Sequence, residues 1–198
     1  LSILTKIDIA ERKIMIDKMK LKAKDTFLLI VDVQERLARV MERREQVEGS
    51  INVLIKLANL MDMPIVLTQQ YTKGLGPTVE ALADNLKGTE PVEKIDFSCC
   101  QEDNFIKAIN AAGRKNVILT GMESHICVLQ TAVDLLEMGY NVHVPWDAVC
   151  SRVDGNRDRA LGFMEKAGAI ITSSEAAAFQ ILGKAGTPEF KEISAMLR

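Results

Sequence analysis

The chain has 198 residues, 47% of them hydrophobic and 26% charged, which suits a single domain with a substantial core and excludes extended disorder. A formal net charge of −2 argues against a nucleic-acid or anionic-membrane partner, and no apolar run approaches the roughly 20 residues that cross a bilayer. The four cysteines, Cys99, Cys100, Cys127 and Cys150, have no CxxC spacing and no zinc-like grouping with the two histidines; neither a metal site nor a disulfide framework is expected, and a reducing cytoplasm is.

Residues 1–24 mix charge into an apolar pattern. They read as an extension without a secretory leader, partly helical over Ile9–Met19 and suited to docking on a partner subunit. A single domain is expected over 25–198. Phe27–Val31 is a continuous apolar run ended by Asp32, as in strands buried on both faces of a parallel sheet. Val47–Met61 has helical period. After Pro64, Ile65–Thr68 predicts the second strand, and Thr72–Pro77 a loop rich in glycine. Val79–Leu86 predicts a short helix, Thr89–Val92 a weak strand, and Asn104–Ala112 a helix stopped by Gly113. Val117–Thr120 is a strand and Ser124–Met138 the clearest helix. Val142–Pro145, Arg157–Ala167, Ala169–Thr172, Ser174–Leu182 and Pro188–Leu197 complete the alternation. The order predicts an α/β fold: a Rossmann-like three-layer arrangement, its central sheet mainly parallel, with helices on both faces.

Ligands of such sheets bind beyond the carboxyl ends of the strands. Asp32, the segment Gln69–Tyr71 and the segment Gly121–Cys127 occupy such ends. Cys127 falls in the first turn of the Ser124 helix, where unpaired N–H groups favour an anion. There a thiol is expected to ionise more easily, and an oxyanion would find donors. A buried free cysteine on a helix face is the alternative. His125 is two positions away and points to another side of the helix, so Asp32 is the candidate base, with a capping role as its alternative. Trp146 and Asp147 end a strand on the same side, as a pocket rim or as a core ring with its cap.

The motifs resemble the isochorismatase-like cysteine hydrolases. The resemblance runs through Leu28–Gln34, Lys94–Ser98, Val117–Thr131 and Asp147–Arg152 in family order, over roughly residues 26–182. It implies a catalytic triad of Asp32, Lys94 and Cys127, and a cis peptide at Met122–Glu123. The Glu123 and Cys127 N–H groups would then form the oxyanion hole. It also implies a homo-oligomer without a cofactor. Gln34, Gln69, Tyr71 and Phe97 are the candidate pocket residues. Thr68–Pro77, with Phe190–Ile193, is similar to the isochorismatase-domain-containing branch. The zinc nicotinamidases of the superfamily carry an Asp and two His after the second strand, where this chain has Gln69, Gln70 and Tyr71, so no metal is expected. The implied activity is hydrolysis of a small amide or related carbonyl compound through an acyl-cysteine. Vinyl-ether hydrolysis of an isochorismate-like acid and a non-catalytic oligomeric scaffold are the rivals.

Overall fold

A computed structural model describes residues 3–86 and 88–197. Helix α1 (Ile3–Lys18) precedes strand β1 (Thr26–Val31), the short helix α2 (Glu35–Ala38) and the long helix α3 (Arg44–Leu60). Strand β2 (Ile65–Gln70), two single-turn helices α4 (Thr72–Leu75) and α5 (Glu80–Ala83), strand β3 (Val92–Lys94) and helix α6 (Asp103–Ala112) follow. Strand β4 (Asn116–Met122) leads through a π turn (Ser124–Val128) into α7 (Leu129–Glu137). Then come β5 (Asn141–Pro145), β6 (Val149–Cys150), α8 (Asp154–Ala167), β7 (Ile170–Thr172), α9 (Ser174–Leu182) and α10 (Pro188–Met196).

Among the described residues the strands form one sheet in the order β3-β2-β1-β4-β5-β7, with β6 beside the end of β4, and every strand pairing is parallel. All six residues of β1 are buried, because both faces of the sheet are covered. Leu28 and Ile30 join a core with Ile51 and Leu54 of α3, Ala178 of α9 and Ile193 of α10. Phe27, Leu29 and Val31 join a second core with Phe105 of α6, Leu135 of α7 and Met164 of α8. The result is the three-layer α/β arrangement that the alternation of elements predicts.

Several elements depart from the sequence expectations. Thr72–Leu75, expected as loop, forms the single turn α4, and the weak strand expected over Thr89–Val92 is β3 at Val92–Lys94. The N-terminal segment forms one helix of 16 residues from Ile3, longer than the expected Ile9–Met19, because neither Gly nor Pro interrupts it. The helix expected from Ser124 opens instead as a π turn: the Glu123 carbonyl accepts from Ile126 N at 3.1 Å and Val128 N at 3.3 Å, passing over the N–H of Cys127 between them. Such turns recur at functional sites.

The strand order reverses direction between β1 and β4. That reversal opens a crevice at their carboxyl ends, and Asp32 and Cys127 follow those two strands. The strands approach closely there. Gly121 pairs with Val31, has φ +120°, and a Cβ on it would lie 2.0 Å from the Val31 carbonyl oxygen.

Candidate active site

Asp32 leaves β1 with φ +52°, a left-handed conformation that Asp tolerates better than most side chains. Its carboxylate is fully buried. Lys94, the last residue of β3, places its ammonium 2.7 Å from Asp32 Oδ2, also fully buried. The same ammonium donates to the carbonyls of Asp96 at 2.9 Å and Phe97 at 3.1 Å. Thr68 of β2, in register with Val31, donates its hydroxyl to Asp32 Oδ1 at 2.8 Å. The buried Cys127 thiol lies against the same carboxylate. Three strand ends thus bring Asp32, Lys94 and Cys127 into one buried cluster.

Electrostatics define its resting state. Burial pushes the Asp32 carboxyl above its ordinary pKa of 3.8, with the Lys94 ammonium and the donors from Thr68 and Cys127 pulling it back. Burial opposes the charge on Lys94, but Asp32 and the neighbouring thiols outweigh it and hold its pKa above 10.5. The Cys127 thiol is pushed up to about 12, by burial first and then by the Asp32 carboxylate, with Lys94 opposing. This overturns the expectation of an easily ionised thiol. Burial and an adjacent anion prevail over whatever the following helix contributes, and the resting sulfur keeps its proton.

The Met122–Glu123 peptide is cis. Glu123 has a buried side chain, whose Oε1 accepts from Arg152 N at 3.0 Å and Arg152 Nε at 3.1 Å. A cavity of about 350 Å³ opens above Cys127. Its walls are apolar at Leu37, Val40, Leu75, Phe97 and Ile126, and it is edged by Gln70, Glu123, Arg36 and Arg152. A larger cavity of about 460 Å³, lined by Phe97, Ser98, Asp134 and Phe163 among others, is not lined by Asp32, Lys94 or Cys127.

Of the four candidate pocket residues, Phe97 lines the cavity and the other three do not. Gln34 is committed to the backbone: its Nε2 donates to Gln70 O at 3.0 Å and Gly76 O at 2.7 Å, and its Oε1 accepts from Gln70 N at 2.7 Å. It therefore pins the loop that forms one wall. The amide of Gln69 meets the Thr78 hydroxyl at 2.8 Å inside the fold. Tyr71 is exposed at the start of α4, and its N–H donates to Lys94 O at 3.0 Å. His125 Nδ1 lies 2.9 Å from Ser151 Oγ, a contact away from the thiol. Asp147 accepts from Ser174 N at 2.8 Å at the start of α9, the capping alternative for that residue.

Sequence reasoning missed Thr68, Arg36 and Arg152 as site residues. Thr68 carried a signal, a hydroxyl closing an apolar strand. Arg152 closes the motif Asp147–Arg152 that carries the family resemblance, which marks the segment but not the side chain, and Arg36 carried no signal. Cys99 is buried with its thiol 3.8 Å from Thr68 Oγ1 and its pKa pushed up to about 11, chiefly by burial. Among the described residues no three His, Cys, Asp or Glu side chains group as metal ligands, and no helix is long and apolar enough to cross a membrane.

The chain matches the Isochorismatase domain family over residues 26–176. It is 41% identical over 175 residues to the secreted isochorismatase effector Isc1 of Phytophthora sojae (strain P6497), which spans 86% of this chain and 83% of that protein. It is 38% identical over 174 residues to isochorismatase domain-containing protein 2 of Bos taurus, covering 87% of this chain and 83% of the relative. Among solved structures, one described as the MAR1 ribonuclease of Caenorhabditis elegans superposes with a TM-score of 0.84 at 38% identity, covering 90% of this chain and 92% of the other.

Proposed function

The chain belongs to the isochorismatase family, and from that premise we propose that it is a cysteine-dependent hydrolase of a small amide or related carbonyl compound. One observation carries this reading: a thiol, a carboxylate and an ammonium share a buried cluster, with Lys94 Nζ 2.7 Å from Asp32 Oδ2, and its thiol, that of Cys127, lines a cavity of about 350 Å³. A buried ion pair of this kind stabilises a fold weakly. Its place beside a thiol under an open cavity favours chemistry.

Asp32 accepts the thiol proton as the Cys127 sulfur attacks the carbonyl carbon. The proton leaves at the moment of attack, which suits a thiol that rests protonated. The oxyanion is held by the backbone N–H groups of Glu123 and Cys127. Collapse breaks the C–N bond, and Asp32 returns the proton to the departing amine. Water then attacks the thioester and gives its proton to Asp32, the C–S bond breaks, and the proton passes to the leaving sulfur. The sum is amide plus water to amine plus acid. Lys94 keeps Asp32 ionised between these transfers.

We place the protein in the cytoplasm, since all four cysteines are free, and as a homo-oligomer. Phe97 and Phe163 are each more than half exposed on one groove, and α1 exposes Ile14, Met15 and Ile16, an apolar load that a second copy would cover. Light scattering is expected to give a multiple of 21.9 kDa, and a monomer would remove that part of the reading. A neutral-to-acidic net charge favours a small-molecule substrate over RNA. The decisive experiment is turnover of an amide and ester panel, with an RNA arm, by wild type and Cys127→Ala. Turnover is expected to vanish in the folded variant, with mass spectrometry trapping a thioester on Cys127 in the wild type. Full activity in Cys127→Ala would sink the mechanism.

A further inference from the structure

Two hydrogen-bonding side chains beside the triad have no part in the steps above. Thr68 and Cys99 are both fully buried. Cys99 opens a single turn (Cys99–Gln101) after β3. Two bonds clamp that turn to α7. The Cys99 N–H donates to Thr131 Oγ1 at 3.0 Å, and Ser98 Oγ, which accepts from Cys100 N, donates to Asp134 Oδ2 at 2.6 Å. Thr131 lies four residues beyond Cys127. From this fixed backbone the Cys99 thiol donates to Thr68 Oγ1 at 3.8 Å, and the Thr68 hydroxyl donates to Asp32 Oδ1 at 2.8 Å. A hydroxyl has one hydrogen and two lone pairs. With a thiol donating to one lone pair, the hydrogen is committed to the carboxylate, and the two bonds in series polarise each other.

Strand geometry does not require that hydroxyl, since a valine suits a buried strand as well. The carboxylate does use it: Thr68 holds Oδ1 while Lys94 holds Oδ2 at 2.7 Å, which fixes the carboxylate plane beside the Cys127 thiol. We propose that Thr68 and Cys99 are positioning residues of the reaction, the thiol aiming the hydroxyl and the hydroxyl holding Asp32 turned to receive the Cys127 proton. The proposal rests on the hydrolase reading above. The charged and titratable groups that face Asp32 are Lys94 on β3, Cys127 on the π turn and Cys99 on the turn after β3. Cys99 is pushed up to about 11, Cys127 to about 12, and Lys94 is held above 10.5. Within this group only Asp32 changes charge between about pH 4 and about pH 9.

Alkylation of Cys127 by iodoacetamide tests this without knowledge of the substrate. The sulfur forms an S–C bond, iodide leaves, and Asp32 takes the thiol proton. Rates at Cys127 are read by peptide mass spectrometry across that pH range, on variants checked for folding by circular dichroism. In the wild type the rate should fall in acid with a midpoint above 3.8. Thr68→Val loses a donor to the ionised carboxylate. It should move the midpoint up by about one pH unit and lower the rate at neutral pH about tenfold. Thr68→Ser should restore both. Cys99→Ala should move the midpoint the same way by about half as much, since a thiol is a weak donor, and Cys99→Ser should restore it. Because Cys99 is neutral over this range, no lost charge accounts for the shift. Thr120→Val removes another buried strand hydroxyl, one that donates to Leu29 O at 3.0 Å, and should leave the midpoint in place.

A midpoint unmoved in folded Thr68→Val and Cys99→Ala, or rates lowered equally at every pH, would overturn the positioning role and leave Cys127 and Asp32 as the reacting pair. A shift in Thr68→Val alone would overturn the part given to Cys99. Were Thr68→Val not to fold, the Cys99→Ala shift and its restoration by serine decide the matter. A wild-type rate without an acid limb would remove Asp32 as base, and with it both the hydrolase reading and this inference.

Discussion

Cys127 sits under two opposed influences: a helix beginning that favours its thiolate, and a buried carboxylate that disfavours it. The second dominates, with the thiol at about 12, so the proposed attack on substrate requires Asp32 to be ionised when substrate arrives. Asp32 has its pKa raised above 3.8 by burial. Activity should therefore fall as acid protonates Asp32, with the midpoint above 3.8. No alkaline limb is expected below about pH 10, because Lys94 stays charged and the thiol stays protonated. A kcat/KM profile over this range checks both limbs. Lys94→Ala should strip the carboxylate of its counter-charge, costing about 3–5 kcal/mol of stability and moving the acid limb to higher pH. Urea unfolding reads the first effect and the pH profile the second. A variant as stable as wild type with an unmoved limb would mean that Lys94 does not support Asp32.

Elements place these residues, and the placement is partly legible in the sequence. The apolar run Phe27–Val31 ending in Asp32 marks a central strand with a candidate functional end, and Gly121 after the run Val117–Thr120 marks the other side of the crevice. Less was legible where elements are short. Helices α2 and α4, each of four residues, build the wall that carries Arg36, Leu37 and Leu75, yet one turn has too few positions to show a period. The π turn was equally hidden, because its ladder depends on where the Glu123 carbonyl points and not on residue type. Gly121 gives the elements a sharp test. A methyl group there would lie 2.0 Å from the Val31 carbonyl oxygen, a backbone atom that cannot turn aside, at φ +120° where side chains are strained. Gly121→Ala should force β1 and β4 apart, destabilising the fold by more than about 2 kcal/mol. The fraction that remains folded should label Cys127 with altered reactivity. Wild-type stability in a denaturant titration would show that the two strands are not in this close contact.

Across the whole molecule, the α/β class followed from the alternation of strands and helices, while strand-end positions made Asp32 and Cys127 candidates, with a cap and a buried free cysteine as their alternatives. Lys94 followed only from the family resemblance, since β3 has three residues and reads like any polar edge segment. Neither route reveals how the N-terminal helix is tied to the sheet. His143 of β5 is fully buried, with Nε2 3.1 Å from the carbonyl of Lys18 at the end of α1. The neutral ring donates there, while its buried Nδ1 has no partner, so a second proton would enter a site without an acceptor. Burial accordingly lowers the His143 pKa to about 4, against 6.5 in an unfolded chain, with the Lys18 carbonyl opposing. Because the folded pKa is depressed, the stabilisation is complete above pH 6.5 and is lost as pH falls toward about 4. A gap of this size corresponds to about 3 kcal/mol. Asp32, with its raised pKa, acts in the opposite sense over part of this window. The comparison must therefore be made between wild type and His143→Gln, which keeps a donor for Lys18 and does not titrate. Urea midpoints measured from pH 7 to pH 4.5 should fall more steeply for the wild type, the two curves converging toward acid. Parallel curves would mean that His143 is charged or exposed in the folded protein, and that α1 is not held against β5 through it.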